Sequence, residues 1–251
     1  MRESESRNVI DPRLLEHRKV WNNKPALRLI YADYYRRLLS ACPPGPLLDI
    51  GGGSAHAKEF RKDVVTLDIL PFPDIDVVAD AHELPFADRS FKSIILLDVL
   101  HHLDRPVAFL KEAARVLEPG GALAMIEPGI TLVSWGFYHF LHQEPVDMRA
   151  DPFAATEHHA DKDPFDSNQA SPTLMFARAK ALARLAEAMP ELTVEKVDWL
   201  SLAVYPLSGG FKRWCLVPQS AVETGTALED RMPRFIRRLM AFRLFVVLKR
   251  N

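Results

Sequence analysis

Two adjacent histidines, His101 and His102, follow a run of apolar residues that reads as a buried strand, in the stretch "FKSIILLDVLHH". Imidazole exchanges a proton near neutral pH, so a histidine at a strand end is placed to take a proton from a substrate oxygen or nitrogen. The same stretch spells Asp98-x-x-His101-His102, a set that can also hold a divalent cation. A second cluster lies in "FYHFLHQEPVD", with Tyr138, His139, His142 and Glu144 close together. On a helix, His139 and His142 share a face. Two histidines and a glutamate can bind a metal, but we read the cluster as the polar wall of a substrate pocket and assign no metal.

A third set begins with "LLDIGGGSAHAKEF", where an apolar run carrying Asp49 stops at three glycines. A glycine turn after a strand can serve a dinucleotide, a nucleoside triphosphate or S-adenosylmethionine. A dinucleotide fingerprint needs G-x-G-x-x-G, and counting from Gly51 and Gly53 the third place is His56. A phosphate loop needs a Gly-Lys-Ser/Thr ending, which is absent. The pattern left is Asp49-x-Gly51-x-Gly53-x-Ala55.

The elements that carry these residues alternate. Strands are expected at "PLLDI", "DVVTLDI", "DVVADA", "FKSIILLDVL" and "ALAMIEP", with a helix at "PVAFLKEAARVL" and another leading out of the glycine turn. Nearly continuous apolar strands alternating with helices indicate a parallel sheet covered on both faces. Upstream, "LLEHRKVWNNKPALRLIYADYYRRLLSA" is helical, broken near Asn22–Pro25. Residues 129–173 form a long insertion with its own helix over Leu132–Leu141, the usual place for a lid or binding loop. Beyond it come a helix ("PTLMFARAKALARLAEAMP"), a largely extended run ("LTVEKVDWLSLAVYPLSGG"), a strand or loop ("FKRWCLV"), a helix ("TALEDRMPRFIRRLM") and a last strand ("FRLFVVLKR").

The pattern "LLDIGGGSA" resembles the first motif of the class I S-adenosylmethionine-dependent methyltransferases, D/E-x-G-x-G-x-G, with Ala55 in place of the third glycine. Further segments resemble the family in order: Asp68 closing "VVTLDIL", "ADAHELPFADRSF", "DVLHHLDRPVAFLKEAARVL" and "RVLEPGGALAMIEP". Together they span Leu47 to Pro128. The resemblance implies a Rossmann-like, doubly wound, seven-stranded and mostly parallel α/β sheet, with a helical cap over 1–46 and a methyltransferase domain over 47–251. It implies that S-adenosylmethionine binds at the strand ends, leaving as S-adenosylhomocysteine. Gly51 and Gly53 would let the backbone approach its methionine part, with Asp49 acting directly or through water; Asp68 would accept the ribose hydroxyls and Asp80 and Ala81 would meet the adenine, with Ile69 and Asp98 also on the cofactor side. His101 or His102 would then stand beside the methyl group, and Tyr138, His139, His142 and Glu144 would line the acceptor side.

The chain has 251 residues and a formal net charge of −1, so it lacks the basic excess of a nucleic-acid binder. Its two cysteines, Cys42 and Cys215, lack metal-type spacing and suit a reducing cytoplasm. The opening "MRESESRNVIDPRLLEH" has no apolar stretch of the signal-peptide kind, and no run reaches the length of a membrane span. The basic, apolar "PRFIRRLMAFRLFVVLKR" leaves peripheral contact with a membrane surface open. The expected activity is methylation of a small molecule, most simply on oxygen. The alternatives are a catalytically silent cofactor-binding protein of the same fold and an NAD-dependent oxidoreductase.

Overall fold

A computed structural model describes residues 10–141, 145–154 and 162–251. Two helices lead the chain, α1 (Pro12–Asn23) and α2 (Pro25–Ser40). Each has proline in its first turn, where the missing N–H costs nothing. The sheet follows: β1 (Leu47–Ile50), β2 (Val65–Asp68), β3 (Val77–Val78), β4 (Phe91–Leu97) and β5 (Leu117–Pro128), with α3 (Pro106–Val116) between β4 and β5. The remaining elements are α4 (Leu132–Leu141), α5 (Ser171–Phe176), α6 (Ala179–Ala188), β6 (Leu192–Leu200), α7 (Val204–Ser208), α8 (Gln219–Arg231), α9 (Arg234–Met240) and β7 (Arg243–Arg250).

The sheet has seven strands in the order β3-β2-β1-β4-β5-β7-β6. β1 to β5 pair in parallel, and β7 runs antiparallel between β5 and β6. This is the mostly parallel, doubly wound α/β sheet that the resemblance implies. Side chains alternate across it. Leu48, Ile50, Ile94 and Leu96 face a core shared with α3, α5 and α6. Leu47, Ile95, Ala124 and Phe245 face α2 through Leu27, Ile30 and Tyr34. The N-terminal helices therefore form a layer of the domain. Lys24 ties them to its far end, its ammonium donating to the carbonyls of Gly210, Lys212 and Trp214 at 2.7, 2.8 and 2.8 Å.

Several elements differ from the sequence expectation. The glycine turn leads only into a short 3-10 turn, His56–Glu59, because Ala55 is left-handed (φ 59°) and breaks helical continuation. The run through Tyr205 and Ser208 is helical, not extended: Ser201 at φ 61° turns the chain out of the sheet, and Pro206 cannot donate to a strand ladder. "FKRWCLV" is a loop. The helix expected across Pro233 is two, because Met232, preceding proline, is held extended (ψ 141°). The helix expected across Ala177–Arg178 is also two, Arg178 being extended (ψ 142°).

Beside the turn, the His56 ring stacks on the fully buried Trp21 at 3.9 Å between centroids. Its Nε2 meets Ser54 Oγ at 2.8 Å, and its Nδ1 has no partner among the described residues. Burial, with Arg18 and other cations nearby, pushes its pKa down to about 3. The unfolded chain then takes up a proton near pH 6.5 that the folded chain refuses, so this contribution to stability is present above about 6.5 and is lost as pH falls toward 3. The buried carboxyls Asp49, Asp68 and Glu127, whose pKa values are raised, act in the opposite direction, so a variant is needed to isolate the histidine. Between pH 7 and pH 5, His56→Phe is expected to lose about 2 kcal/mol less stability than the parent, measured by urea unfolding. Equal losses would refute the assignment.

Candidate active site

The carboxyl ends of β1 to β4 open onto one cavity of about 590 Å³. Ligands of open parallel sheets bind at this edge. After β1 the chain turns sharply, with Gly51 N and Gly52 N both donating to Leu67 O at 2.8 and 3.0 Å. Gly51 sits at φ 69°, and a Cβ there would come within 2.3 Å of a Val99 methyl. Gly53, at φ 53°, is different: a Cβ would meet nothing nearer than Gly51 O at 3.9 Å, so the space it leaves belongs to the cavity. Gly53 N donates to Asp68 Oδ2 at 2.7 Å, and Leu70 N to Asp68 Oδ1 at 2.8 Å. Burial pushes the Asp68 carboxyl up, and these backbone N–H groups oppose it.

Asp49 is one layer back. Strand alternation turns it, with Leu47, toward the α2 face, and it does not itself line the cavity, which leaves only the indirect of the two roles expected for it. It is 2% exposed, beneath Gly52, and its Oδ2 has no hydrogen-bond partner among the described residues. Burial first, and Asp68 second, push its carboxyl well above the usual range. Ile69, Asp80, Ala81 and Asp98 all line the cavity. Asp80 Oδ1 accepts from His82 N at 2.8 Å, and the His82 ring bridges Asp80 and Asp104 at 2.7 and 3.2 Å.

Asp98 (φ 61°) lines the cavity with its carboxylate already paired to protein groups. Its Oδ1 and Oδ2 contact the guanidinium of Arg243, and the Tyr31 hydroxyl donates to Oδ2 at 3.1 Å. Arg243, at the start of β7, is 3% exposed, with its guanidinium 4.1 Å from the centre of the Tyr205 ring. Burial, the largest effect, works against its charge, but Asp98 together with Tyr205, Tyr138 and Tyr34 outweighs it and holds its pKa well above the usual value.

The histidines sit on a 3-10 turn, Leu100–His102. His101 Nδ1 lies 2.7 Å from Oε2 of Glu127, a fully buried residue of β5. Glu127 Oε1 accepts from Val99 N and Leu100 N at 2.9 and 2.8 Å. Burial pushes the Glu127 carboxyl up, and those two N–H groups pull it back. The carboxylate fixes the turn, and as an acceptor facing Nδ1 it favours the His101 tautomer protonated there, which puts the basic lone pair on Nε2 of a ring that lines the cavity. His102 packs beside it at 4.1 Å between ring centroids and also lines the cavity.

On the opposite wall, Tyr138 is buried and donates to Phe242 O at 3.3 Å, with Phe137 beside it. His139 does not reach the cavity. One residue on from Tyr138 along α4, it points about 100° away, is exposed, and stacks on Trp135 at 5.0 Å. His142 and Glu144 lie outside the described residues, as do His158 and His159 of the same insertion. No group of three His, Cys, Asp or Glu suited to a metal occurs among the described residues. Sequence reasoning missed Glu127, Tyr31 and Arg243. A signal existed for Glu127, the only charge in the apolar run "ALAMIEP".

Residues 48–125 match the model of a family described as a methyltransferase domain. They are a methyltransferase domain. A demethylmenaquinone methyltransferase of Renibacterium salmoninarum is 35% identical over 111 residues, 37% of this chain and 47% of that protein. A probable tRNA methyltransferase 9B of Bos taurus is 36% identical over 102 residues, 35% of this chain and 22% of that protein. Each match thus spans less than half of the relative's length. A solved S-adenosylmethionine-dependent methyltransferase of Thermotoga maritima, described as a possible histamine N-methyltransferase, superposes with a TM-score of 0.54 at 16% identity, covering 90% of this chain and 92% of that one. At that identity the likeness speaks for the fold, which is that of the class I S-adenosylmethionine-dependent methyltransferases. The cofactor of this methyltransferase fold is S-adenosylmethionine, and the residues present fit it. The space beside Gly53 would be filled by a Cβ, and acids at the strand ends suit a sulfonium and an ammonium.

Proposed function

We propose that this chain methylates an oxygen of a small, largely apolar acceptor, with His101 as general base. The observation that carries the reading is the buried Glu127–His101 pair in the wall of the cavity that the glycine turn also lines. Bound S-adenosylmethionine supplies a methyl carbon activated by its sulfonium. Asp68 accepts the ribose hydroxyls on the lone pairs its backbone partners leave, and Asp80 and Ala81 meet the adenine edge. With the cofactor bound, His101 Nε2 would take the acceptor's hydroxyl proton and Glu127 would stabilise the imidazolium, the methyl–sulfur bond breaking as the oxygen–carbon bond forms and S-adenosylhomocysteine leaving. Phe137, Tyr138, Phe165, Phe211 and Phe242 surround the acceptor and exclude water. Alignment of this kind contributes about 7–11 kcal/mol in favourable cases.

A small acceptor is supported by this aromatic lining and by the lack of a basic excess, and one relative is named for demethylmenaquinone. Another is named for tRNA, so a tRNA substrate belongs in the acceptor screen. The free thiols Cys42 and Cys215 support a cytoplasmic location. No helix among the described residues is long and apolar enough to cross a membrane.

The first test is isothermal titration with S-adenosylhomocysteine, with NAD in parallel. Binding of the former alone is expected. Asp68→Ala is expected to weaken it by about 1–3 kcal/mol through the lost hydrogen bonds. Unchanged affinity in that variant would remove Asp68 from the site. Binding of NAD instead would favour an oxidoreductase, and cofactor binding without turnover of any acceptor would favour a silent protein.

A further inference from the structure

We propose that the outward faces of α4 and α9 dock on a bilayer rich in anionic headgroups. α4 has two faces. Ser134 and Tyr138 are buried, while Leu132 and Phe140, 73% and 74% exposed, project outward with Val133 and Trp135. α9 packs beside α4 and has no buried residue of its own. It adds Phe235, 70% exposed, and Leu239. Two neighbouring helices thus present six large apolar side chains to solvent, more than the scattered single residues of an ordinary surface.

Charge decides what covers them. Arg231, Arg234 and Arg238 are exposed and make no ion pair among the described residues. Arg237 differs, being held by Asp198 at 2.8 Å. The two acids just before them in the sequence are already occupied: Asp230 pairs with Arg37, and Glu229 accepts the backbone N–H groups of Leu202, Ala203 and Val204. From Arg231 to Asn251 the sequence contains no Asp or Glu. A second copy related by a two-fold axis would set these arginines against themselves. An anionic bilayer accepts both features, apolar side chains at the acyl boundary and guanidinium groups at the headgroups, with Trp135 suited to the interface between them. The inner face of α4 lines the cavity through Phe137 and Tyr138, so docking would bring the cavity wall against the membrane.

The test is co-sedimentation of the full chain with phosphatidylcholine vesicles, with and without phosphatidylglycerol. Binding is expected to require the anionic lipid and to fall with added salt. Each exposed arginine near such a surface contributes roughly fivefold, so the double reversal Arg234→Glu with Arg238→Glu is expected to lower partitioning by at least about 25-fold. Phe140→Ser with Phe235→Ser is expected to lower it as well, with the thermal unfolding midpoint of both double variants unchanged. No binding to anionic vesicles, or binding that neither double variant lowers, would overturn the proposal. So would a concentration-dependent dimer that Phe140→Ser abolishes, which would assign the surface to a second copy. The readout is independent of methyl transfer.

Discussion

Asp98→Ala is expected to destabilise the protein by about 3 kcal/mol, the lower end of the cost of breaking a buried ion pair. Arg243 is almost fully enclosed, and Asp98 is the carboxylate that offsets its charge. Without it, a guanidinium is left among Tyr34, Tyr138 and Tyr205, which offer ring faces and hydroxyls in place of a carboxylate. The lower end is appropriate because the Asp98 side chain keeps 25% of its surface exposed and water can enter. Removing both charges, in Asp98→Ala with Arg243→Met, is expected to restore most of the loss, since neither desolvated charge remains. Urea unfolding of the two single variants and the double variant gives the coupling. A single-variant loss below about 1 kcal/mol, or a double variant as unstable as the sum of the singles, would show that the pair does not balance this end of the cavity.

Glu127→Gln is expected to lower kcat by about 10²–10⁴-fold on whichever acceptor is found, with little change in S-adenosylhomocysteine affinity. The amide oxygen can still accept from Val99 N and Leu100 N, so the turn is kept. The amide nitrogen then faces His101 Nδ1 as a donor, which forces the imidazole into the tautomer that carries its proton on Nε2. The ring stays in place, but its cavity-side nitrogen can no longer accept a proton. His101→Ala is expected to fall into the same range, and the double variant to lose little more, because the two residues act as one unit. A Glu127→Gln enzyme with normal kcat would leave Glu127 as a clamp for the turn and move the search for the base to His102.

The sheet was legible because its signals are local. β1, β2, β4 and the end of β5 are apolar runs ended by glycine, aspartate or proline, and the residues expected to meet a cofactor lie at or beside the ends of the parallel strands. That Asp68, Asp80 and Gly53 would line one cavity could be read by counting. Asp49 could not, because its distance from the glycine turn says nothing about which face of β1 it takes. The end of the cavity proposed to take the acceptor was less legible because distant segments build it. Tyr31 comes from α2 and Arg243 from β7, and no spacing links them. On α4 the sequence offered Tyr138 and His139 side by side, and only the packing of that helix on Phe242 selects which one faces inward. Glu127 was hidden by its company, a single acid in a strand whose other residues all read as core.

The position of β7 has a consequence for how the protein is made. β7 leaves the ribosome after β6, yet it lies between β5 and β6. Until β7 arrives, β6 has no strand through which to join the sheet. During that interval two strand edges are open to other chains, the hazard that closed sheets avoid. Arg243 enters with the same strand, so the acceptor end of the cavity is completed only at that insertion. A stop codon ahead of position 243 would therefore be expected to yield an aggregating polypeptide rather than a smaller working enzyme.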